Sequence, residues 1–229
     1  MVRPCSLCWF VWPLIIAGSV TAGEPETKTA ATLERIAPSP QLLEAPDGLT
    51  GEFTVARTPP QIDFAIYPGQ WEGAKLWSSW GDSLFASDGS FYASIGDHAA
   101  PHGTAYVYRV DPKSRSVERV VDYNAVVQQP EGNYTPGKIH GALVEGDDRH
   151  VYFFGYRGSE RRTTAEANYR GDWLLRYDPR TEKTENLGIA VPFHSVPVLV
   201  AHPESKSLYG LSVAGLTAPD QLPRFFHYD

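Results

Sequence analysis

Three segments of this chain share one pattern, in which a turn and a short aromatic strand are followed by a loop and a second strand that ends in aspartate. The anchor tyrosines of the three segments, Tyr92, Tyr152 and Tyr209, lie 60 and 57 residues apart. A repeat of this length made of strands is typical of sheet units that stack in an array, and four-stranded sheets of this size form the blades of β-propellers. The sequence therefore predicts an all-β protein built as a β-propeller.

The second strand of each unit has a common pattern, with arginine or histidine between apolar or aromatic residues. Its copies are Tyr106–Asp111, Trp173–Asp178 and Phe225–Asp229. In the first two copies proline follows the aspartate and predicts a tight turn, because proline presets φ and aspartate accepts hydrogen bonds from turn amides. Outer strands are expected after these turns, at 116–121 and 183–187. Inner strands are expected before the units, at 74–77, 137–140 and 196–200.

The repeat also predicts the domain organisation. Residues 1–22 are expected to be a signal peptide and residues 23–50 a low-order linker with one short helical stretch at 31–36. Residues 51–229 are expected to be the N-terminal part of the propeller, with blade units at 71–123, 134–190 and 194–229. Because propellers close with about four to eight blades, we expect the remaining blades of a six- to eight-bladed ring, with seven preferred, C-terminal to residue 229.

The N-terminus has the features of a secretory signal. Arg3 supplies a positive charge, Leu7–Ala17 is an apolar run, and Val20–Ala22 places small residues at a cleavage site. Both cysteines, Cys5 and Cys8, lie inside this signal, so the mature chain has none. We therefore expect a secreted or periplasmic protein without disulfides and without a stable membrane span after signal removal. An uncleaved anchor is the alternative interpretation of the same apolar run.

The net charge of the chain is -7, with 21% charged and 42% hydrophobic residues. An acidic chain lacks the basic stripe that a nucleic-acid surface needs, so we expect no nucleic-acid partner. The hydrophobic fraction is that of an ordinary globular domain, with enough apolar residues for a sizeable core.

Histidines and arginines in the long loops define the candidate site. We expect His98, His102 and His194 to bind a divalent metal such as zinc, manganese or calcium, since imidazole is a common metal ligand. The alternative is that each is an ordinary hydrogen-bonded or exposed histidine. His140 and Lys138 alternate on one strand and are expected to share a face.

The loop after the second aromatic strand is rich in arginine. Arginine binds carboxylates through paired hydrogen bonds, which suits an anionic sugar. The expected ligand-binding residues are Lys138, Arg161, Arg162, Tyr169 and Trp77. The alternatives are that acidic residues neutralise this loop and that the aromatic residues pack between blades. Asp97 and Asp172 precede third strands, where we expect them to hold loops to backbone amides.

The second unit is the most distinctive part of the chain. It contains Pro136–Gly141, Tyr156–Ser159 and Gly171–Pro179, and Ile95–His98 precedes it. With these segments, residues 71–229 resemble a group of uncharacterised secreted bacterial β-propeller proteins with kelch-like repeats. The chain is also similar, more loosely, to propeller-type polysaccharide lyases, in which histidine or tyrosine removes a proton and arginine or a metal neutralises a carboxylate. That resemblance implies His140, Tyr156 and Arg157 as catalytic residues.

Two functions follow from these observations. The first is an exported propeller that binds an anionic polysaccharide or oligosaccharide in its central funnel and cleaves uronate chains by β-elimination. The second is a non-catalytic interaction module of a larger secreted protein. A fold of this kind hosts many unrelated functions, so the architecture does not choose between them.

Overall fold

The structure is a computed structural model that describes residues 30–45, 47–52, 54–69, 79–97, 103–157, 162–202 and 204–229. Several predicted features lie outside these ranges. They are the signal peptide, the inner strand at 74–77, and the site residues Trp77, His98, His102 and Arg161.

The chain is an all-β protein, with 41% of its residues in strands and 6% in helices. Its strands are β1 Ala30–Thr32, β2 Glu34–Ile36, β3 Ile62–Phe64, β4 Leu84–Phe85, β5 Phe91–Asp97, β6 Thr104–Asp111, β7 Ser116–Asp122, β8 Val144–Glu145, β9 Val151–Phe154, β10 Trp173–Asp178, β11 Lys183–Ile189, β12 His194–Ala201, β13 Leu208–Ala214 and β14 Arg224–Tyr228. Its helices are a 3₁₀ turn at Pro40–Leu43 and α1 at Tyr123–Val127. Within the described ranges, no helix has the length and apolar character needed to cross a membrane.

The strands form several antiparallel sheets. The first sheet has the strand order β1-β7-β6-β5-β4, the second has β11-β10-β9-β8 and the third has β12-β13-β14. Strands β2 and β3 form a separate pair. In the part of the chain that the structure describes, no sheet closes on itself.

The strands of the repeat lie where the sequence predicts them. The anchor tyrosines fall in β5, β9 and β13, the aspartate-ending segments form β6, β10 and most of β14, and β7 and β11 are the outer strands. Tyr92 donates a hydrogen bond to Asp88 at 2.8 Å, and Tyr152 donates one to Asp148 at the same distance. In the first two units, the repeat in sequence is therefore also a repeat in side-chain hydrogen bonding.

The inner strand of the second unit differs from the prediction. Regular pairing occurs at β8, while residues 137–140 contribute only one bridge, between Lys138 and Tyr156. This segment does not continue the hydrogen-bonded pairing with β9, because its backbone lies close to the first unit on one side and to the third unit on the other. Leu143 donates its amide proton to the Asp82 carbonyl at 3.2 Å, and a Cβ on Gly141 would lie 3.0 Å from the Pro197 carbonyl oxygen.

The segment predicted as a low-order linker contains strands, and the expected helical stretch at 31–36 is wrong. β1 pairs with the free edge of β7, and Leu33 donates its amide proton to the Arg115 carbonyl at 2.8 Å. Arg115 and Arg35 both bind the Asp63 carboxylate, at 2.8 and 2.9 Å. A single helical turn is marginal in water, whereas an unpaired strand edge offers backbone partners.

The second sheet is buried on both faces. Successive residues of a strand point to opposite faces, so Phe153 faces the first sheet and Phe154 faces the third. The core between the first and second sheets includes Tyr92, Val107, Val121, Val151, Phe153, Leu175 and Tyr177. The core between the second and third sheets includes Phe154, Leu174, Val196, Leu199 and Leu208. The three sheets therefore stack face to face in chain order.

One outer face of this stack is covered by other residues of the chain, and the other outer face is exposed. Ala31, Leu33, Ala65 and Tyr67 pack against the first sheet over Tyr108. The far face of the third sheet presents exposed apolar side chains instead: Val198, Val200, Leu211 and Phe225.

We expect Phe153→Ala to destabilise the protein by about 3–5 kcal/mol, because Phe153 is fully buried between two sheets and its removal leaves a cavity. Phe85→Ala is the matched control, since Phe85 is 68% exposed and its loss should cost less than about 1 kcal/mol. Urea unfolding followed by tryptophan fluorescence measures both values. Equal losses of stability in the two variants would contradict the stacked-sheet core.

Candidate functional site

The candidate site lies at one end of the second sheet. The inner segment before β8 supplies Lys138 and His140, and the end of β9 leads into Tyr156 and Arg157. The two segments are held together by backbone bonds, since Tyr156 donates its amide proton to the Lys138 carbonyl at 2.7 Å. The alternation predicted from sequence therefore places these side chains side by side.

Three rings stack across this end of the sheet. The His140 and Tyr156 rings are 4.7 Å apart between centroids with an angle of 28°, and the Trp80 and His140 rings are 6.4 Å apart with an angle of 22°. Trp80 is 61% exposed, whereas His140 and Tyr156 are half-buried. The stack therefore ends in an open aromatic face, of the kind that a planar or sugar ligand can cover.

Lys138 lies against the same rings. Its Nζ atom is 4.8 Å from the Trp80 ring centroid and 5.5 Å from the Tyr156 ring centroid, within the range of cation–π attraction. Lys138 is only 8% exposed, and no carboxylate among the described residues pairs with it. Burial lowers the pKa of Lys138, and the positive charge of Arg157 lowers that pKa further.

Arg157 links this cluster to the third sheet. Its Nη1 atom donates a hydrogen bond to the Ala214 carbonyl at 3.1 Å, and its Cζ atom lies 5.7 Å from the Tyr156 ring centroid. Arg162, which the sequence predicted as a ligand residue, is half-buried, and burial lowers its pKa. Lys138 and Arg157 therefore place two neighbouring positive charges at this end of the second sheet.

One ring nitrogen of His140 has no hydrogen-bond partner within the described structure. Its Nδ1 atom is buried and has no hydrogen-bond partner among the residues that the structure describes. Burial lowers the pKa of His140, and the nearby Lys138 cation adds to this effect. The imidazole is therefore neutral near pH 7, which is the form that can act as a general base.

A buried polar network lies beside the cluster. The Tyr134 hydroxyl donates a hydrogen bond to Oδ1 of Asp172, and the Tyr169 and Ser195 hydroxyls are 3.0 Å apart. Asp172 is 1% exposed, and its Oδ2 atom has no hydrogen-bond partner in the described part of the chain. Burial raises the pKa of Asp172 to about 7, although the Tyr134 hydroxyl, the Ser195 hydroxyl and the Arg157 charge act in the opposite direction.

This network corrects two interpretations of the sequence. The Asp172 side chain accepts a hydrogen bond from the Tyr134 hydroxyl, not from a backbone amide as expected. Tyr169, predicted to contact a ligand, is 1% exposed and packs against the Tyr134 ring at 4.7 Å between centroids. A tyrosine buried in this way supports the site from behind and presents no face to a ligand.

His194 does not fit its predicted role as a metal ligand. Its Nδ1 atom lies 2.8 Å from the Ser212 hydroxyl, and its Nε2 atom lies 2.9 Å from Oε1 of Gln221. Both nitrogens are occupied, and the side chain is fully buried. Across the described ranges, no group of three or more histidine, cysteine or acidic side chains is arranged to hold a metal ion. His194 is therefore a structural histidine. His98 and His102, the other two predicted metal ligands, lie outside the described residues.

The structure thus brings together four of the predicted residues, Lys138, His140, Tyr156 and Arg157, and it places Trp80 and Asp172, which were not among the predicted site residues, beside them. Trp80 precedes Gly81 as His140 precedes Gly141, at the repeat spacing of 60 residues, and this signal could have identified it. The local sequence gives no sign that Asp172 is buried, because the side chains that surround it come from four separate segments of the chain.

We expect the stability of the wild-type protein to fall between pH 4 and pH 7 relative to that of Asp172→Asn. The folded state holds the Asp172 proton up to about pH 7, whereas the unfolded chain releases it near 3.8. The bound proton stabilises the folded state fully when the pH is below the pKa of Asp172 in the unfolded chain. As pH rises from that pKa to the pKa in the folded state, the free energy of unfolding falls by about 1.4 kcal/mol per pH unit. Denaturant unfolding across this range measures the difference, and parallel curves for the two proteins would contradict the raised pKa.

No protein-family model matches this chain, and no curated protein matches its sequence.

Proposed function

We propose that the stacked sheets are successive blades of a β-propeller. The repeat spacing supports this architecture, because equivalent glycines meet the next unit at equivalent places. A Cβ on Gly81 would lie 2.6 Å from the Ile139 carbonyl oxygen, and a Cβ on Gly141 would lie 3.0 Å from that of Pro197. The face-to-face packing of three antiparallel sheets in chain order supports it further.

We also propose that the protein is exported. The support for this is the N-terminal sequence alone, with its positive residue, apolar run and small residues at the cleavage position.

We propose that the end of the second sheet binds an anionic carbohydrate. The observation that carries this proposal is Lys138, a buried cation that no described carboxylate neutralises and that lies beside Arg157 and an open aromatic stack. A carboxylate on a ligand would supply the missing negative charge, because buried charges are normally paired. The exposed Trp80 ring offers a face for the sugar.

The same cluster has the groups that β-elimination from a uronate chain needs. In that reaction a base removes the proton on C5, a cation stabilises the charge that develops on the carboxylate, and the glycosidic oxygen leaves with a proton. His140 is the neutral base in this proposal, Lys138 and Arg157 hold the carboxylate, and the Tyr156 hydroxyl protonates the leaving oxygen.

A second candidate function is that of a non-catalytic interaction module. The observation that favours it is the exposed apolar face of the third sheet, formed by Val198, Val200, Leu211 and Phe225. Exposed apolar patches of this kind mark surfaces that pack against other protein. In this alternative the protein captures a protein partner and does not turn over any sugar.

We expect Arg157→Ala to weaken binding of an oligouronate by about 10- to 100-fold, since a charged hydrogen bond contributes about 1.5–3 kcal/mol. Isothermal titration calorimetry with a defined oligouronate measures this. Arg149→Ala is the matched control, because Arg149 is 66% exposed and lies in a turn away from the cluster. Unchanged affinity in Arg157→Ala, in a protein with wild-type circular dichroism, would contradict the proposed binding site.

We expect His140→Ala to abolish the rise in ultraviolet absorbance that unsaturated uronate produces, while oligouronate binding persists. Because the pKa of His140 is lowered, wild-type turnover should rise with pH and be half-maximal below pH 6.5. His227→Ala is the control, since His227 is an exposed residue of the third sheet. The assay uses a panel of uronate polysaccharides with and without zinc or manganese. A flat trace from the wild-type protein across the panel would favour the interaction module.

A further inference from the structure

We propose that Lys138 is a nucleophilic amine that forms a Schiff base with the carbonyl group of a 2-oxo acid bound at the Trp80–His140–Tyr156 stack. This inference goes beyond the proposed function, which uses Lys138 only as a cation. It identifies a covalent site and a class of ligand, an acid that carries a carbonyl group next to its carboxylate.

The position of Lys138 restricts its amine to one place. Its backbone carbonyl is fixed by the hydrogen bond from the Tyr156 amide at 2.7 Å, and its Nζ atom lies between the Trp80 and Tyr156 rings. An amine held at the edge of an open aromatic face can meet a carbonyl carbon without searching many rotamers. Surface lysines such as Lys113 and Lys183 have no such constraint, because they lie exposed in or next to turns.

The surroundings of Lys138 lower its pKa and so increase the fraction of the neutral amine, which is the nucleophilic form, in equilibrium with the ammonium cation. Arg157 is the charged group that acts on it, and His140 and Tyr156 are the titratable groups packed beside it. No described carboxylate pairs with Lys138 to stabilise its ammonium form. Burial together with a neighbouring cation is the arrangement that activates lysine for carbonyl chemistry.

The covalent step balances with the groups present. The Nζ lone pair attacks the carbonyl carbon, and the π electrons of the C=O bond move to oxygen. His140 accepts the proton that the nitrogen loses and returns it to that oxygen, giving a neutral carbinolamine. The nitrogen then loses its second proton to His140, which passes it to the hydroxyl group, and this group leaves as water as the C=N bond forms. Arg157 binds the ligand carboxylate during these steps, so that the carbonyl group faces Nζ.

The test is reductive trapping with pyruvate as the probe. The 229-residue protein is incubated with pyruvate and sodium cyanoborohydride, and modification of each lysine is followed by peptide mass spectrometry. We expect Lys138 to be modified at least 10-fold faster than Lys113, Lys183 and Lys206, with its rate rising at a lower pH than theirs. Modification of Lys138 at or below the rate of these three lysines would overturn the proposal.

Two variants separate a reactive site from general exposure. Lys138→Arg keeps the positive charge and the cation–π contacts, and it should remove the fast phase while leaving the other lysines unchanged. Arg157→Ala should slow trapping of pyruvate at least 10-fold but slow trapping of glyceraldehyde, which has no carboxylate, less than 3-fold. Equal slowing with both carbonyl compounds would overturn the assignment of a 2-oxo acid.

Oligouronate binding by the wild-type protein is measured in the same samples, so that the carbohydrate proposal and the Schiff-base proposal are tested independently. Binding of the oligouronate without fast trapping at Lys138 overturns the Schiff-base site alone. Fast trapping without oligouronate binding supports the Schiff-base site and overturns the carbohydrate proposal.

Discussion

The close packing of the second sheet between its two neighbours is the constraint on which the rest of the structure depends. Phe153 and Phe154, adjacent in one strand, belong to two different cores, so β9 cannot shift by one residue without exchanging them. Each fully buried aromatic side chain contributes about 1.5–3 kcal/mol through the surface that it removes from water. Where β5 meets the inner segment of the second unit, glycine is required: a Cβ on Gly96 would lie 2.2 Å from the Gly137 carbonyl oxygen. The register of β9 and these close approaches fix where the segment that carries Lys138 and His140 must run.

The candidate site is a consequence of that packing. The inner segment leaves regular pairing between Lys138 and β8 because it must contact both neighbouring sheets, and the irregular stretch holds Ile139 in the core. Residues that flank such a buried position have to point the other way, and this direction places Lys138 and His140 against Tyr156. The charge at the site has the same origin, because the backbone fixes a lysine where little water reaches it. The packing of the sheet stack and the arrangement of the candidate site are therefore coupled through one stretch of backbone.

The buried network behind the cluster shows how far this coupling extends. Asp172 lies just before β10, Tyr134 precedes the inner segment, and Ser195 and His194 belong to β12. Hydrogen bonds among buried polar groups are costly to leave incomplete, so these segments hold one another in place. The charge of Arg157 also lowers the pKa of Asp172, which connects the protonation of a buried carboxyl group to a cation of the candidate site. Loss of one member would therefore change both the packing and the charge balance of the site.

The sequence by itself determined the strands and much of the site. Alternating apolar residues and the Asp-Pro turns specify local structure, and the predicted β6, β7, β10, β11 and β12 follow from interactions between near neighbours in the chain. The adjacency of Lys138 and His140 was also predicted from their two-residue spacing, although the segment that carries them is not a regular strand. Tertiary structure decided what depends on distant segments: the pairing of β1 with β7, the hydrogen bonds that make His194 structural, and the burial that raises the pKa of Asp172. These features depend on contacts between residues far apart in the chain. A local sequence pattern does not specify which distant segments will pack over a residue and exclude water from it.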